Sequence, residues 1–125
     1  MKEISMEKRF DLYMDTLEKC GTYYLSDEMI GYYIFEEFDV GAISFLHENN
    51  MLVLVNDGVI DNDIYFKSQI LRKKFMALQG TELWNIDSVK KSLEWKEILQ
   101  LSDKIKELIN QKWSDEECDY LRGNK

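Results

Sequence analysis

The stretch Met51-Leu52-Val53-Leu54-Val55-Asn56-Asp57-Gly58-Val59-Ile60-Asp61 decides the fold class. Its five leading apolar residues could pair with Val40–Leu46 as a β-hairpin across a polar turn at 47–50, and periodicity alone does not separate short strands from short helices. The residues after Val55 fit helices better. Gly58 suits the position just past a helix end, where the left-handed conformation costs glycine little, with Ile60 as the apolar residue beyond it. Asp61 suits the N-cap of the next helix, with Ile60 stapled onto Tyr65. The residues therefore predict two short helices over 40–55, with a small hairpin as the alternative.

Working outward, Ile64, Leu71, Phe75 and Leu78 fall on one face of a helix that stops before Gly80. Asp87 is placed to cap a long helix over 88–112, whose stripe is Trp95, Ile98, Leu101, Ile105, Leu108 and Ile109. Ser114 and Glu117 form a capping-box pattern for a last short helix to about Arg122, with Gly123 as its stop. Towards the N-terminus, Met6, Phe10, Tyr13, Met14, Leu17 and Cys20 recur at spacings of three and four, and Gly21 reads as a left-handed stop. Ser26 then caps a helix to about Phe38, with Asp27 and Glu28 at its positive end. That helix is apolar nearly all round, through Met29, Ile30, Tyr32, Tyr33, Ile34, Phe35 and Phe38, as if central to the core or partly covered by a partner. The 125 residues contain no proline, repeat or linker, and they read as a single domain over 1–125. The expected fold is mainly α, a bundle of five to seven helices with about two-thirds of its residues helical.

Charge is distributed unevenly. No Lys or Arg occurs from Cys20 to Phe66, while the same 47 residues carry Asp27, Glu28, Glu36, Glu37, Asp39, Glu48, Asp57, Asp61 and Asp63. Residues 1–66 carry a net −10 and residues 67–125 a net +2, so the overall −8 belongs to the first half. Such a layout repels itself unless basic residues such as Lys67, Arg72, Lys73 or Lys74 fold onto it. The region is also aromatic, with Tyr23, Tyr24, Tyr32, Tyr33, Phe35, Phe38, Phe45, Tyr65 and Phe66.

Several chemistries find no foothold. His47 is the single histidine, so a two-histidine metal site is impossible, and Cys20 and Cys118 sit in no ligand spacing. Asn56-Asp57-Gly58…Asp61-Asn62-Asp63 resembles a calcium loop, but its glycine comes too early, and helix capping explains it. No glycine-rich nucleotide loop occurs, and no carboxylate pair is singled out from the 24 acids. No metal, cofactor or catalytic residue is expected. An acidic chain is a poor match for nucleic acid or an anionic membrane, and no apolar run approaches the ~20 residues that span a bilayer. No secretory signal is read at the start, and two unpaired thiols fit the cytoplasm.

Acidic and aromatic residues together suit capture of a basic protein, because carboxylates steer the encounter and desolvated aromatics supply affinity. The expected function is a non-catalytic module, monomeric or weakly dimeric, that occludes a basic partner. A bacterial immunity protein acting on a nuclease-type toxin domain is the type. The residues expected at that surface are Asp27, Glu28, Tyr32, Tyr33, Phe35, Glu36, Glu37 and Asp39. The alternative is a structural or regulatory homo-oligomer, joined through the 29–38 helix or the Trp95–Trp113 helix.

Overall fold

A computed structural model describes residues 4–23 and 26–123. Tyr24, one of the aromatic residues of the acidic half, lies outside the described residues. The described residues are 75% helical, in seven helices without a strand, so 40–44 and 48–55 are helical and the hairpin is not formed. The helices are α1 (Met6–Glu18), α2 (27–44), α3 (Glu48–Asn56), α4 (Asn62–Ala77), α5 (Ile86–Lys91), α6 (Leu93–Lys112) and α7 (Asp115–Leu121).

The turn after α3 closes as its residues dictate. Gly58 takes a φ of 75°, the Gly58 N–H donates to Val55 O at 3.0 Å, and the Val59 N–H donates to Leu54 O at 2.9 Å. This is a Schellman cap. Its apolar residue is Val59, one position earlier than the sequence suggests, and Ile60 is buried beside it. Asp61 Oδ1 then accepts from Ile64 N at 2.8 Å and starts α4. Gly58 and Asp61 are thus occupied in helix punctuation.

Two boundaries outside α2 differ from expectation. Asp87 does not open a helix over 88–112. Asn85 caps α5, the chain turns extended at Ser92 (φ −80°, ψ 148°), and the Ser92 hydroxyl accepts from Trp95 N to start α6. A serine that can bond backbone amides offers the chain a new start, and the periodic stripe beyond it conceals the break. Gly21 is not a left-handed stop: Lys19 is the C-cap of α1, and positive φ among the described residues is confined to Gly58, Gly80 and Gly123. Gly21 is instead pressed against α6, where a Cβ would lie 2.6 Å from Asp103 Oδ1. That turn is clasped by α6, with Lys106 Nζ and Ser102 Oγ donating to Cys20 O and Thr22 donating to Asp103.

The core draws on all seven helices, with α1 at its centre through Phe10, Tyr13, Met14 and Leu17 and with α4 packed along α6. An aromatic cluster fills one end: Phe75 meets Phe38, Trp84 and Trp95 edge-on, with ring centres 4.7–5.8 Å apart. The Trp95 indole donates to Leu83 O at 2.6 Å, so the buried ring keeps its polar edge satisfied.

Candidate protein-binding face

Residues 27–44 form one continuous helical segment that does not end at Phe38. Ser26 caps it, its hydroxyl accepting from Met29 N at 3.2 Å. Ile30–Phe38 is wound as a π-helix. Its buried residues, Ile30, Ile34 and Phe38, continue into Ala42 at a strict spacing of four. In an α-helix each step of four overshoots a full turn by about 40°, and widening the turn counters that drift. The segment also passes very close to α1. A Cβ on Gly41 would lie 2.4 Å from Thr16 Oγ1. The helix is therefore not buried all round: Glu28, Met29, Tyr32, Glu36, Val40 and Ile43 are exposed, Tyr32 by 50% and Val40 by 64%.

The eight residues expected at the surface separate into two groups. Glu36 and Glu37 lie together on a groove of about 270 Å³ between α1 and α2, which Asp15, Lys19, Val40 and Phe45 also line. The Tyr32 ring stands edge-on to Tyr33 with centres 5.0 Å apart, and its hydroxyl bonds to Glu37. That bond and the carboxylate charge hold the Tyr32 phenol above its ordinary pKa. The Lys19 ammonium sits over the Tyr33 ring at 5.3 Å and 3.5 Å from Asp15. Tyr32, Tyr33, Glu36 and Glu37 thus share one neighbourhood.

The other four are placed differently. Asp27 is tied to Lys90 of α5, and Glu28 lies exposed beside it in the first turn. Asp39 accepts from Gln79 Nε2 at 2.6 Å. Phe35 is half-buried, edge-on to Trp84 at 4.9 Å and Trp95 at 5.5 Å, so its ring belongs to the aromatic cluster and not to the outer face.

Internal relief of the negative charge is small. Of the nine carboxylates between Cys20 and Phe66, Asp27 and Asp63 are the two with a lysine in ion-pair range among the described residues. Lys67 does fold back, 2.6 Å from Asp63. Arg72 Nε instead donates to Ala42 O at 2.9 Å, and Lys74 lies 3.6 Å from Glu97. Glu28, Glu36 and Asp57 have no basic side chain in range among the described residues.

Other reactive side chains have structural employment. His47 caps α3, Nδ1 accepting from Asn49 N at 3.2 Å. Complete burial pushes the Cys20 thiol up to about 12, and burial also raises Cys118, so neither is a ready thiolate. Among the described residues no three His, Cys, Asp or Glu side chains are grouped to hold a metal ion, and no helix is long and apolar enough to cross a membrane.

Sequence reasoning missed Asp15 and Lys19, which look like an ordinary i,i+4 pair on α1 until α2 is laid beside them. It also missed a larger cleft, about 600 Å³, at the α5–α6 break, where Lys90, Lys91 and Lys96 converge. Adjacent lysines were visible, but the break that gathers them was not. No protein-family model matches the chain, and no significant match is found among curated proteins or solved structures.

Proposed function

We propose that this chain is an acidic protein-binding module that masks a basic surface of a partner protein. The client class that fits best is a nuclease-type toxin domain, held in the manner of a cytoplasmic bacterial immunity protein. The observation that carries the reading is the pair Glu36 and Glu37, set beside Asp15 on a groove whose lining includes exposed Val40 and one lysine, Lys19, with exposed Tyr32 one turn earlier on the same helix. Glu28, Glu36 and Glu37 would steer a cationic surface inward over about a Debye length, roughly 10 Å at 0.1 M salt. Tyr32, Tyr33 and Val40 would then lose water against it and supply the affinity. The block is steric and electrostatic, with no bond made or broken. The test is stopped-flow association with a purified basic nuclease domain at low and high salt. Association that slows steeply with salt, together with loss of nuclease activity, supports the reading. Salt-independent binding, or full nuclease activity at saturation, contradicts it.

A second reading, a homo-oligomer, is favoured by Phe66 and Ile70, exposed by 58% and 46% at i,i+4 on α4. On the seams first expected for it much of the apolar stripe is taken up by the core, while Met29 and Tyr32 on the first stay exposed. Ile30, Ile34 and Phe38, like Trp95, Ile98, Ile105 and Ile109, are buried in the chain's own core. Sedimentation of the pure protein separates the two readings, a monomer favouring partner capture.

A further inference from the structure

A cleft of about 600 Å³, more than twice the volume of the acidic groove, has a different lining from it. Its floor is apolar and fully built: Ile30 of α2, Val89 of α5 and Leu99 of α6 are exposed by 1%, 4% and 7%. Leu93, exposed by 65%, stands at its edge. Three ammonium groups, Lys90, Lys91 and Lys96, surround that floor. At about 600 Å³ the space falls within the range that holds small organic ligands, roughly 300–1,000 Å³.

The charges specify the ligand further. Lys90 is held by Asp27, and Lys91 lies 3.1 Å from Asp87. Lys96 has no carboxylate in ion-pair range among the described residues, which leaves one uncompensated cation. The cleft also lies at the start of α6, a twenty-residue helix whose positive end adds to that field. Glu94, the acid of that first turn, lines a different groove with Lys74 and Glu97 and so does not fill the cleft. An apolar floor under a single excess positive charge matches a ligand with an apolar body and one negative head.

We propose that the α5–α6 cleft binds a free amphiphilic carboxylate of medium-chain fatty-acid type, its tail on Ile30, Val89 and Leu99 and its head at Lys96. This is a small-molecule site, separate from the acidic groove, and it stands or falls independently of the protein-capture reading.

The test is calorimetric titration with sodium decanoate below its micellar concentration. Decanol serves as the tail without the charge, acetate as the head without the tail, and phosphatidylglycerol vesicles as an anionic surface. Lys96→Glu and Leu93→Ser change exposed side chains, and their melting curves report whether the fold is kept. The expected result is one decanoate site, weakened about tenfold or more by Lys96→Glu, as befits loss of a charge-assisted contact, and weakened less by Leu93→Ser. Acetate and decanol should bind at least about tenfold more weakly than decanoate. The proposal is overturned if decanoate gives no saturable binding, if decanol binds as well, or if Lys96→Glu leaves the affinity unchanged while melting normally. Binding to vesicles without binding of monomeric decanoate overturns it too, and would assign the lysines to a membrane surface.

Discussion

Segments 27–44 and 86–112 face the same task, a long helical path along one core, and solve it differently. The first stays continuous and widens into π turns; the second breaks at Ser92 and restarts. In the first, buried residues recur every fourth position, and Asp39, the acid that could cap a new start there, accepts from Gln79 instead. In the second, Ser92 supplies that cap and the chain turns extended there. The electrostatics diverge likewise. Segment 27–44 carries five carboxylates and no cation, whereas the break gathers Lys90, Lys91 and Lys96. Backbone punctuation thus decides where surface charge collects. A continuous helix spreads its acids along a face, and a break folds its lysines around a cleft.

The largest expected effect tests why segment 27–44 can lie against α1 at all. Gly41→Ala puts a Cβ inside contact distance of Thr16, so the two helices must separate. A denaturant melt should show a loss of about 1–3 kcal/mol, the usual cost of overpacking. Gly41→Ala combined with Thr16→Ser removes the Thr16 methyl from the clash and should recover part of that loss.

The break is tested next. Ser92→Ala deletes the hydroxyl that caps α6 and should cost about 1 kcal/mol. A neutral result would mean that the kink is imposed by packing of Val89 and Trp95 and not by the cap.

Gly58→Ala provides a calibration outside both segments. No atom crowds the site, so its expected cost of about 1 kcal/mol reports the left-handed backbone alone.

These sites also show how far the sequence could be read. The ends of α3 and α4 were legible because Gly58 and Asp61 act locally, through bonds to residues three to five positions away. The stripe of α1 was legible because one face at helical spacing suffices, and its buried apolar residues Phe10, Tyr13, Met14 and Leu17 are among those the spacing picked out. The π turns and the close pass at Gly41 were not legible, because each is set by what a distant helix presents, and the break at Ser92 was concealed by the periodic stripe beyond it. The candidate face followed the same rule. The carboxylates of 27–39 could be counted, but their grouping could not: Asp39 is taken by Gln79, Phe35 by two tryptophans, and Asp15 arrives from another helix.

The smallest effect sharpens the electrostatic side of the comparison. The Tyr32 phenol is raised by its bond to Glu37, by the Glu37 charge and, to a smaller degree, by Glu36. Glu37→Gln should bring the Tyr32 titration, followed by ultraviolet difference absorption, back towards its ordinary value. A neutral amide neither opposes the phenolate nor favours the protonated phenol as strongly.

The central claim is that the Glu36–Glu37 face serves a partner and not the fold. It is tested most directly by Glu36→Lys with Glu37→Lys, measured side by side for thermal midpoint and for association rate with the basic nuclease domain. The expected result is a nearly unchanged midpoint, since neither carboxylate has an internal cation among the described residues, together with slower association. The defect should shrink as salt screens the steering. Unchanged association with an unchanged midpoint would make the face a solubility device and contradict the account. A large fall in midpoint would show that the two carboxylates belong to the fold, and would contradict it equally.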